Sequence, residues 1–448
     1  MIQLNRTVGA CILTGVLLPA IASYAETYYV ATTGADNNPG TNAKPWRTVA
    51  FAVDTMTPGD TTYVGEGLYN ERLIRFKRSG TQSAPIKLLN SPGQAPIINC
   101  IDHQQFHRVI LEHGSGYRNP IGWITIEGFE IRNCYDGIKF HNAHDLIIRR
   151  NWIHDNTPGQ GILGNGTRVL IDRNAISHNG GFDECDSIPS KCNKDHGIYA
   201  GGTTYTITNN LIYDNLAYGI QVAGAYKYDP AKHAGPEYVN SADWVIANNT
   251  FAYNENRAGI VVWGSTCTNV RIENNIFYEN GVNLPNDSVN GIDFVSMTCT
   301  GIQIRNNLSY ASGAGATAFL SSGAKEWVHY TQSGNIVNTD DPGFVNAPAT
   351  LPDSPNFALT ERSPAIDKGL PLATTRIAFD GTARPQGRAP DIGAYEYSVD
   401  GDSPKAPTTL FTKDPWPLAC RLARGIVMPG DRRRIRNPPP PNACRATL

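Results

Sequence analysis

The chain has 448 residues, with 43 glycines, 30 prolines, only 17% charged residues and a formal net charge of −2. So small and balanced a charge gives no electrostatic footing for nucleic acid. Helix-forming runs are scarce, which suits an all-β solenoid, an architecture that can run long as a single domain.

Residues 1–25 have the layout of a secretory signal. Arg6 supplies the positive start, residues 8–22 form an apolar core too short to span a bilayer, and Ser23-Tyr24-Ala25 is a small-x-small cleavage site before Glu26. Cys11 would be lost with this segment. No later run reaches 18 apolar residues, so the mature chain is expected to be secreted, extracellular or at the cell surface, without a transmembrane segment and as a monomer. The remaining cysteines are even in number, as an oxidising compartment favours.

From Tyr28 the sequence predicts a strand, a Gly/Asn/Pro-rich loop, a short amphipathic helix over 48–56, a turn at Pro58-Gly59-Asp60 and a second strand. A solenoid exposes an apolar end, and this helix is the natural cap for it.

Coils are expected from about residue 86 to about 345. One phrase recurs around Asn151, Asn174, Asn210, Asn249, Asn275 and Asn307: alternating apolar residues, an Asn, then more alternation. Five of these copies lead to a Gly-Ile step, at Gly161, Gly197, Gly219, Gly259 and Gly291. An earlier copy, with Gly128 in the Asn slot, leads to Gly137-Ile138. Period-2 alternation means strands, and its recurrence at this spacing means stacked coils. A buried amide is costly unless bonded, so the Asn column predicts a ladder in which each side chain satisfies its neighbour.

Cys267 and Cys299 stand at the same offset from Asn275 and Asn307. Strands about 4.8 Å apart put them within disulfide range. Cys185 and Cys192 bracket one loop and are expected to close it. Cys420 and Cys444 lie in the tail, which leaves Cys100 and Cys134 as a pair by elimination.

Three loops are longer than the repeat requires: 179–195, 224–242 and 281–290. All flank the Gly-Ile strand, and insertions on one face of a solenoid often wall a binding site. Alternation turns Ile138, Ile162, Ile198, Ile220, Ile260 and Ile292 inward. It turns Lys139, Leu163, Tyr199, Gln221, Val261 and Asp293 outward as a floor, with His141, Asn165, Gly201, Ala223, Trp263 and Val295 two residues on. Polar groups beside aromatics suit sugar rings.

Lys194-Asp195-His196-Gly197-Ile198-Tyr199 is the densest chemical phrase. His196 reads either as a base or as a corner histidine bonded to neighbouring backbone. Its column across the coils holds Asp136, Gln160, Tyr218, Ala258 and Asn290. The loop 224–242 adds Tyr226, Lys227 and His233 as candidate substrate contacts. Asp183, Glu184 and Asp186 are an acidic group that would suit Ca²⁺.

Residues 363–397 contain Ser363-Pro364-Ala365-Ile366-Asp367 and Asp391-Ile392-Gly393-Ala394-Tyr395-Glu396. These pieces resemble the choice-of-anchor Q segment found near the end of secreted β-helix proteins, and residues 346–397 are assigned to it. Residues 398–448, rich in Pro and Arg, are expected to be a disordered tail. The opening segment from Tyr28 resembles that of secreted right-handed parallel β-helix proteins of the pectate-lyase-like superfamily. With the signal peptide over 1–25, the resemblances imply a right-handed parallel β-helix over 26–345.

The resemblance also implies action on a polysaccharide, and by preference a lyase that cleaves a uronate-containing chain by β-elimination. Such an enzyme needs a cation or metal to neutralise the uronate carboxylate, a base for the C5 proton and an acid for the leaving oxygen. Lys194 or His196 is the preferred base and Tyr199 the preferred acid. Lys139, His141, Gln221, Trp263 and Asp293 line the floor as substrate-binding candidates. Two alternatives stand beside the lyase. A glycoside hydrolase would use paired carboxylates, for which Asp195 and Asp293 are the best pair. A non-catalytic glycan-binding adhesin would need the floor but no base.

Overall fold

The computed structural model describes residues 25–101, 108–112, 119–182, 185, 194–223, 241–263, 266–281, 289–295, 298–311, 317–321 and 328–398. Over these residues the chain is a parallel β-helix. Strands stack coil upon coil into a 16-stranded sheet that bends around two faces and a 10-stranded sheet that makes the third.

One coil illustrates the rest. The strand Ile138–Arg149 supplies the first two faces, turning where its register shifts between Phe140 and Ala143. Arg150 adopts a left-handed φ of 55°, Asn151 follows, and Trp152–His154 forms the third face. Asp155, at φ 51°, turns the chain again before Asn156. A left-handed conformation is unfavourable for a residue with a side chain. The amide that follows each such corner locks it in place.

The expected ladder is present. Nδ2 of Asn151 donates to Oδ1 of Asn174 at 3.1 Å, and the series continues through Asn210, Asn249, Asn275, Asn307 and Asn335 at 2.9–3.0 Å. Each Oδ1 also accepts the backbone N–H of the preceding coil's Asn, as Asn210 does from Asn174 at 2.8 Å. The register differs at the first copy. Gly128, at φ 85°, aligns with the corner residue Arg150, and Phe129 occupies the Asn slot, its N–H donating to Asn151 Oδ1 at 3.0 Å. The corner requires positive φ, which glycine adopts without strain, so Gly128 takes the corner rather than the Asn slot.

A second ladder runs parallel to the first, through Asn156, Asn179, Asn215, Asn254, Asn280 and Asn290. All six residues are fully buried. The left-handed corners Asp155, His178, Asp214, Tyr253 and Glu279 precede its first five members.

The cap forms as expected. The helix Val49–Thr55 starts at Thr48, whose hydroxyl accepts from Phe51 N, and Glu71 accepts the Val49 N–H at 2.8 Å. Val49, Ala52 and Val53 close the apolar end together with Trp46, which stacks on Tyr28 at 4.4 Å. Parallel pairing already begins at Thr27–Val30 on Thr61–Val64, upstream of where the repeat becomes readable, and ends at Ile336–Val337.

Cys267 and Cys299 are register partners joined by a disulfide, with Cα atoms 4.5 Å apart, and Cys100 is joined to Cys134 with Cα atoms 4.7 Å apart. Cys185 is also disulfide-bonded; Cys192, Cys420 and Cys444 lie outside the described residues. Such bridges fit a secreted protein.

Past the last coil, Phe344–Asn346 pairs antiparallel with Asn356–Leu359. The chain then lies back over the third face. Phe357, Leu359, Ala365, Ile392 and Ala394 cover Ala175, Leu211, Ile276 and Leu308. Arg384 holds this segment together. It pairs with Glu396 at 2.7 Å, both side chains being buried, and donates to the carbonyls of Asp391, Gly393 and Ala394. Burial raises the Asp391 carboxyl to about 6, with the charge of Glu396 adding to the effect. The proposed signal peptide and the residues after 398 fall outside the described part of the chain.

Candidate functional site

The Gly-Ile strands form the first face. Val109, Ile138, Ile162, Ile198, Ile220, Ile260 and Ile292 align in register, and all are fully buried. The glycines are a packing requirement. A Cβ on Gly161 would lie 2.7 Å from both Gly197 O and Ile176 Cγ2 and 2.9 Å from the ladder amide of Asn179. No side chain fits between coils so close.

The next position faces outward and runs Arg75, Ile110, Lys139, Leu163, Tyr199, Gln221, Val261, Asp293 in register. The floor is open over only part of its expected length. Lys139, Leu163 and Tyr199 are partly exposed, but Gln221 is 5% and Val261 0% exposed. Tyr218 forms a strap over Val261. It packs with Ala217, Ala258, Val261 and Val289, and its hydroxyl donates to Asp293 Oδ2 at 2.9 Å. This strap over the outward column corrects the expectation that Gln221 and Val261 line an open floor. It also occupies Asp293. Burial, with Asp293 nearby, drives the Tyr218 phenol well above its ordinary range.

At the other end of the column is a charged cluster. Arg108 Nη1 bonds Asp136 Oδ2 at 2.7 Å, Lys139 Nζ lies 3.8 Å from the same oxygen, and Gln160 N donates to the other. Arg108 also lies 5.3 Å over the Tyr135 ring, and Arg75 pairs with Glu112 at 3.7 Å. Burial raises the Asp136 carboxyl above its usual range, against the pull of Arg108 and Lys139. Burial lowers the Lys139 ammonium, with Asp136 opposing and Arg108 adding to the drop. His141 is pushed down to about 4, by burial first and then by the charges of Lys139 and Arg108, so it is neutral near pH 7. Arg108 stands in register with Gly137, where the coils after it carry glycine. The Gly-Ile pattern therefore gave no hint of it. Asp136 and Lys139 straddle a Gly-Ile step, which was the available signal.

Tyr199 lies two coils from Lys139, about 9–10 Å along the axis at ordinary strand spacing. Leu163 stands between them. Below Tyr199, His196 is only 2% exposed. Its ring lies nearly parallel to the phenol, 5.8 Å between centroids, and its Nδ1 accepts the Tyr218 N–H at 3.2 Å. Burial pushes His196 down to about 3, only partly offset by a bond to the Gln221 side chain. It is a neutral imidazole at the corner, stacked on the Tyr199 ring. Lys194 is exposed at the edge, its carbonyl accepting from Gln160 Nε2 at 3.3 Å.

Asp195 accepts the Gly181 N–H at 2.9 Å. Its coil is three steps from that of Asp293, about 14 Å at ordinary spacing. That exceeds the roughly 5–9.5 Å over which two carboxyls share one glycosidic bond. Trp263, 43% exposed, stands on the same face beyond the strap. Tyr226, Lys227, His233, Asp183, Glu184 and Asp186 lie outside the described residues. Among the described residues no group of three or more His, Cys, Asp or Glu side chains could hold a metal, and no helix is long and apolar enough to cross a membrane.

Residues 28–202 match the family described as the Pel9A-like, right-handed β-helix region. The crystal structure of pectate lyase Pel9A superposes with a TM-score of 0.54 at 18% identity, covering 84% of this chain and 97% of that one. This chain is a right-handed parallel β-helix. Two curated relatives align over shorter stretches of the chain. Pectate lyase PEL9 of Emericella nidulans is 37% identical over 84 residues, 18% of this chain and 20% of the relative. The uncharacterized protein YwoF of Bacillus subtilis is 30% identical over 105 residues, 23% of this chain and 22% of the relative. The chain thus spans about a fifth of the length of the curated relatives it matches.

Proposed function

We propose that the chain is a secreted polysaccharide lyase that cleaves an acidic, uronate-containing polysaccharide by β-elimination on the open part of the Gly-Ile face. One observation carries the reading: Lys139 and Tyr199 project from one outward column, two coils apart, with only Leu163 between them. A sugar ring laid on Leu163 would have a cation at one side and a phenol at the other. Lys139 would lower the charge of the uronate carboxylate, which makes the C5 proton easier to remove. A base takes that proton, the C4–O bond breaks as the C4–C5 double bond forms, and an acid protonates the departing oxygen. Tyr199 is assigned proton transfer, and Lys194 at the edge of the face is the second candidate. His196 is assigned the positioning of the Tyr199 ring. The fold likeness and the partial match to pectate lyases support this chemistry.

The residues that resemble a choice-of-anchor Q segment are assigned a supporting role, as a brace on the third face. The test of the lyase reading is direct. The protein is incubated with polygalacturonate, alginate and other polyuronates while the ultraviolet absorbance of the unsaturated product is followed. A steady rise on one substrate is expected. Reducing ends without that absorbance would make the protein a hydrolase, and binding without either signal would make it an adhesin.

A further inference from the structure

The charged cluster at Asp136 has a composition that the lyase reading does not require. Asp136 is 1% exposed and both its carboxylate oxygens are engaged, one by Arg108 and Lys139 and the other by Gln160 N. A buried aspartate on the floor of a glycan site is the kind of ligand a divalent cation takes. Here fixed side-chain cations already hold it. The remaining acids of the described face do not make up the deficit, since Glu112 pairs with Arg75, Asp293 accepts from the Tyr218 hydroxyl, and Asp195 accepts from Gly181 N and Gln160 Nε2.

The charge count points the same way. Arg75, Arg108 and Lys139 face Glu112 and Asp136, and His141 is neutral near pH 7, so the described cluster carries one unbalanced positive charge. Arg75 is the most exposed of the three at 42% but is paired with Glu112, so the unbalanced charge is assigned to Lys139. Its side chain is 21% exposed, whereas Arg108 is 6% exposed and clamped on Asp136. Asp136 and Arg108 thus form a buried base on which the ammonium sits, one coil from Leu163 and two from Tyr199 in the outward column.

We propose that Lys139, seated on the buried Arg108–Asp136 pair, is the receptor for a uronate carboxylate and neutralises it without a divalent metal ion. The inference rests on the acidic-polysaccharide part of the reading above, but not on cleavage. Lys139 is a point charge at a half-buried site, so its contact with the carboxylate is stronger than in open water yet still screened by salt.

The experiment uses the whole chain, freed of divalent ions with EDTA. A galacturonate hexamer, a mannuronate hexamer and the methyl-esterified galacturonate hexamer are titrated calorimetrically. At least one charged hexamer is expected to bind with a Kd that EDTA leaves unchanged within twofold and that weakens as salt rises. Lys139→Met should weaken that binding at least tenfold. The esterified hexamer should bind wild type and variant alike. Lys139→Arg should recover most of the affinity, which separates charge from folding, because Asp136 keeps Arg108 in every variant.

Loss of binding in EDTA with recovery in Ca²⁺ would overturn the proposal while leaving a lyase intact. Unchanged affinity in Lys139→Met, or no binding of any charged hexamer, would also overturn it. Metal-free binding without an unsaturated product would uphold it and sink the lyase instead.

Discussion

Replacing Asn210 by alanine tests the physical basis of the coil stack. In the folded chain Asn210 Nδ2 donates to Ile171 O and to Asn249 Oδ1, both at 2.9 Å. Its Oδ1 accepts the Asn174 N–H at 2.8 Å and the Asn174 amide at 3.0 Å. Alanine removes all four bonds at a site with no solvent exposure. Some partners are only weakened. Asn249 Oδ1 keeps the Asn210 N–H at 2.9 Å, and Asn174 Nδ2 keeps Ile148 O at 3.0 Å. The Asn174 N–H and the Ile171 carbonyl each lose a bond that water cannot replace. An orphaned buried group costs about 1–3 kcal/mol, so Asn210→Ala should cost about 2–4 kcal/mol in urea unfolding followed by circular dichroism. Asn335→Ala is the control. Asn335 is the last rung and is partly exposed, so water takes over its role and the cost should stay below about 1 kcal/mol. Equal losses in the two variants, or an Asn210→Ala loss under about 0.5 kcal/mol, would refute the claim that burial of the ladder is what makes it matter.

Tyr199→Phe should lower turnover by about 10²–10⁴-fold with KM little changed, whereas His196→Ala should lower the melting temperature as well as turnover, because its imidazole is bonded in the corner; native stability in His196→Ala would argue against that role. Gly161→Ala should prevent soluble folding or destabilise the chain by several kcal/mol, on the order expected for overpacking against backbone that cannot move; a native-like melt would sink the packing argument. His178 gives a pH signature. Burial disfavours its charge, but Asp214 at 2.9 Å, with Asp155 and Glu255, outweighs burial and raises it to about 9. Its folded value lies above the unfolded value of about 6.5, so its stabilisation is fully present below about pH 6.5 and fades as pH rises through about 9. His178→Gln should flatten the decline of stability across that window, and an unchanged pH profile would count against the pairing.

Much of the fold was legible because a solenoid repeats its own chemistry. The column through Asn151, Asn174 and Asn210, the inward isoleucines and the Cys267–Cys299 pair all follow from offsets within a coil. The second ladder was equally available: its first five members stand five residues after members of the first, from Asn156 after Asn151 to Asn280 after Asn275. It was missed because it sits beside loops of uneven length, where alternation stops. The candidate site was less legible. Alternation turned Gln221 and Val261 outward correctly but could not see that Tyr218 reaches across to Asp293, a contact between residues 75 apart. Nor could it see that Arg108, outside the Gly-Ile pattern, would meet Asp136. The return of residues 344–397 over the third face is likewise a matter of long-range packing, with no period of its own.

Both amide ladders have a direction. In each, every Nδ2 points towards the following coil and every Oδ1 towards the preceding one. The side-chain dipoles therefore add head to tail along the solenoid axis, much as peptide dipoles add in an α-helix, and each bond polarises the next. Two such rows run side by side with the same sense, their positive ends towards the C-terminal coils. A coil lost from either end shortens the rows by one member, whereas a coil without its amides in the middle cuts both into shorter, weaker lengths. The stack should therefore tolerate growth and trimming at its ends far better than any interruption at its centre.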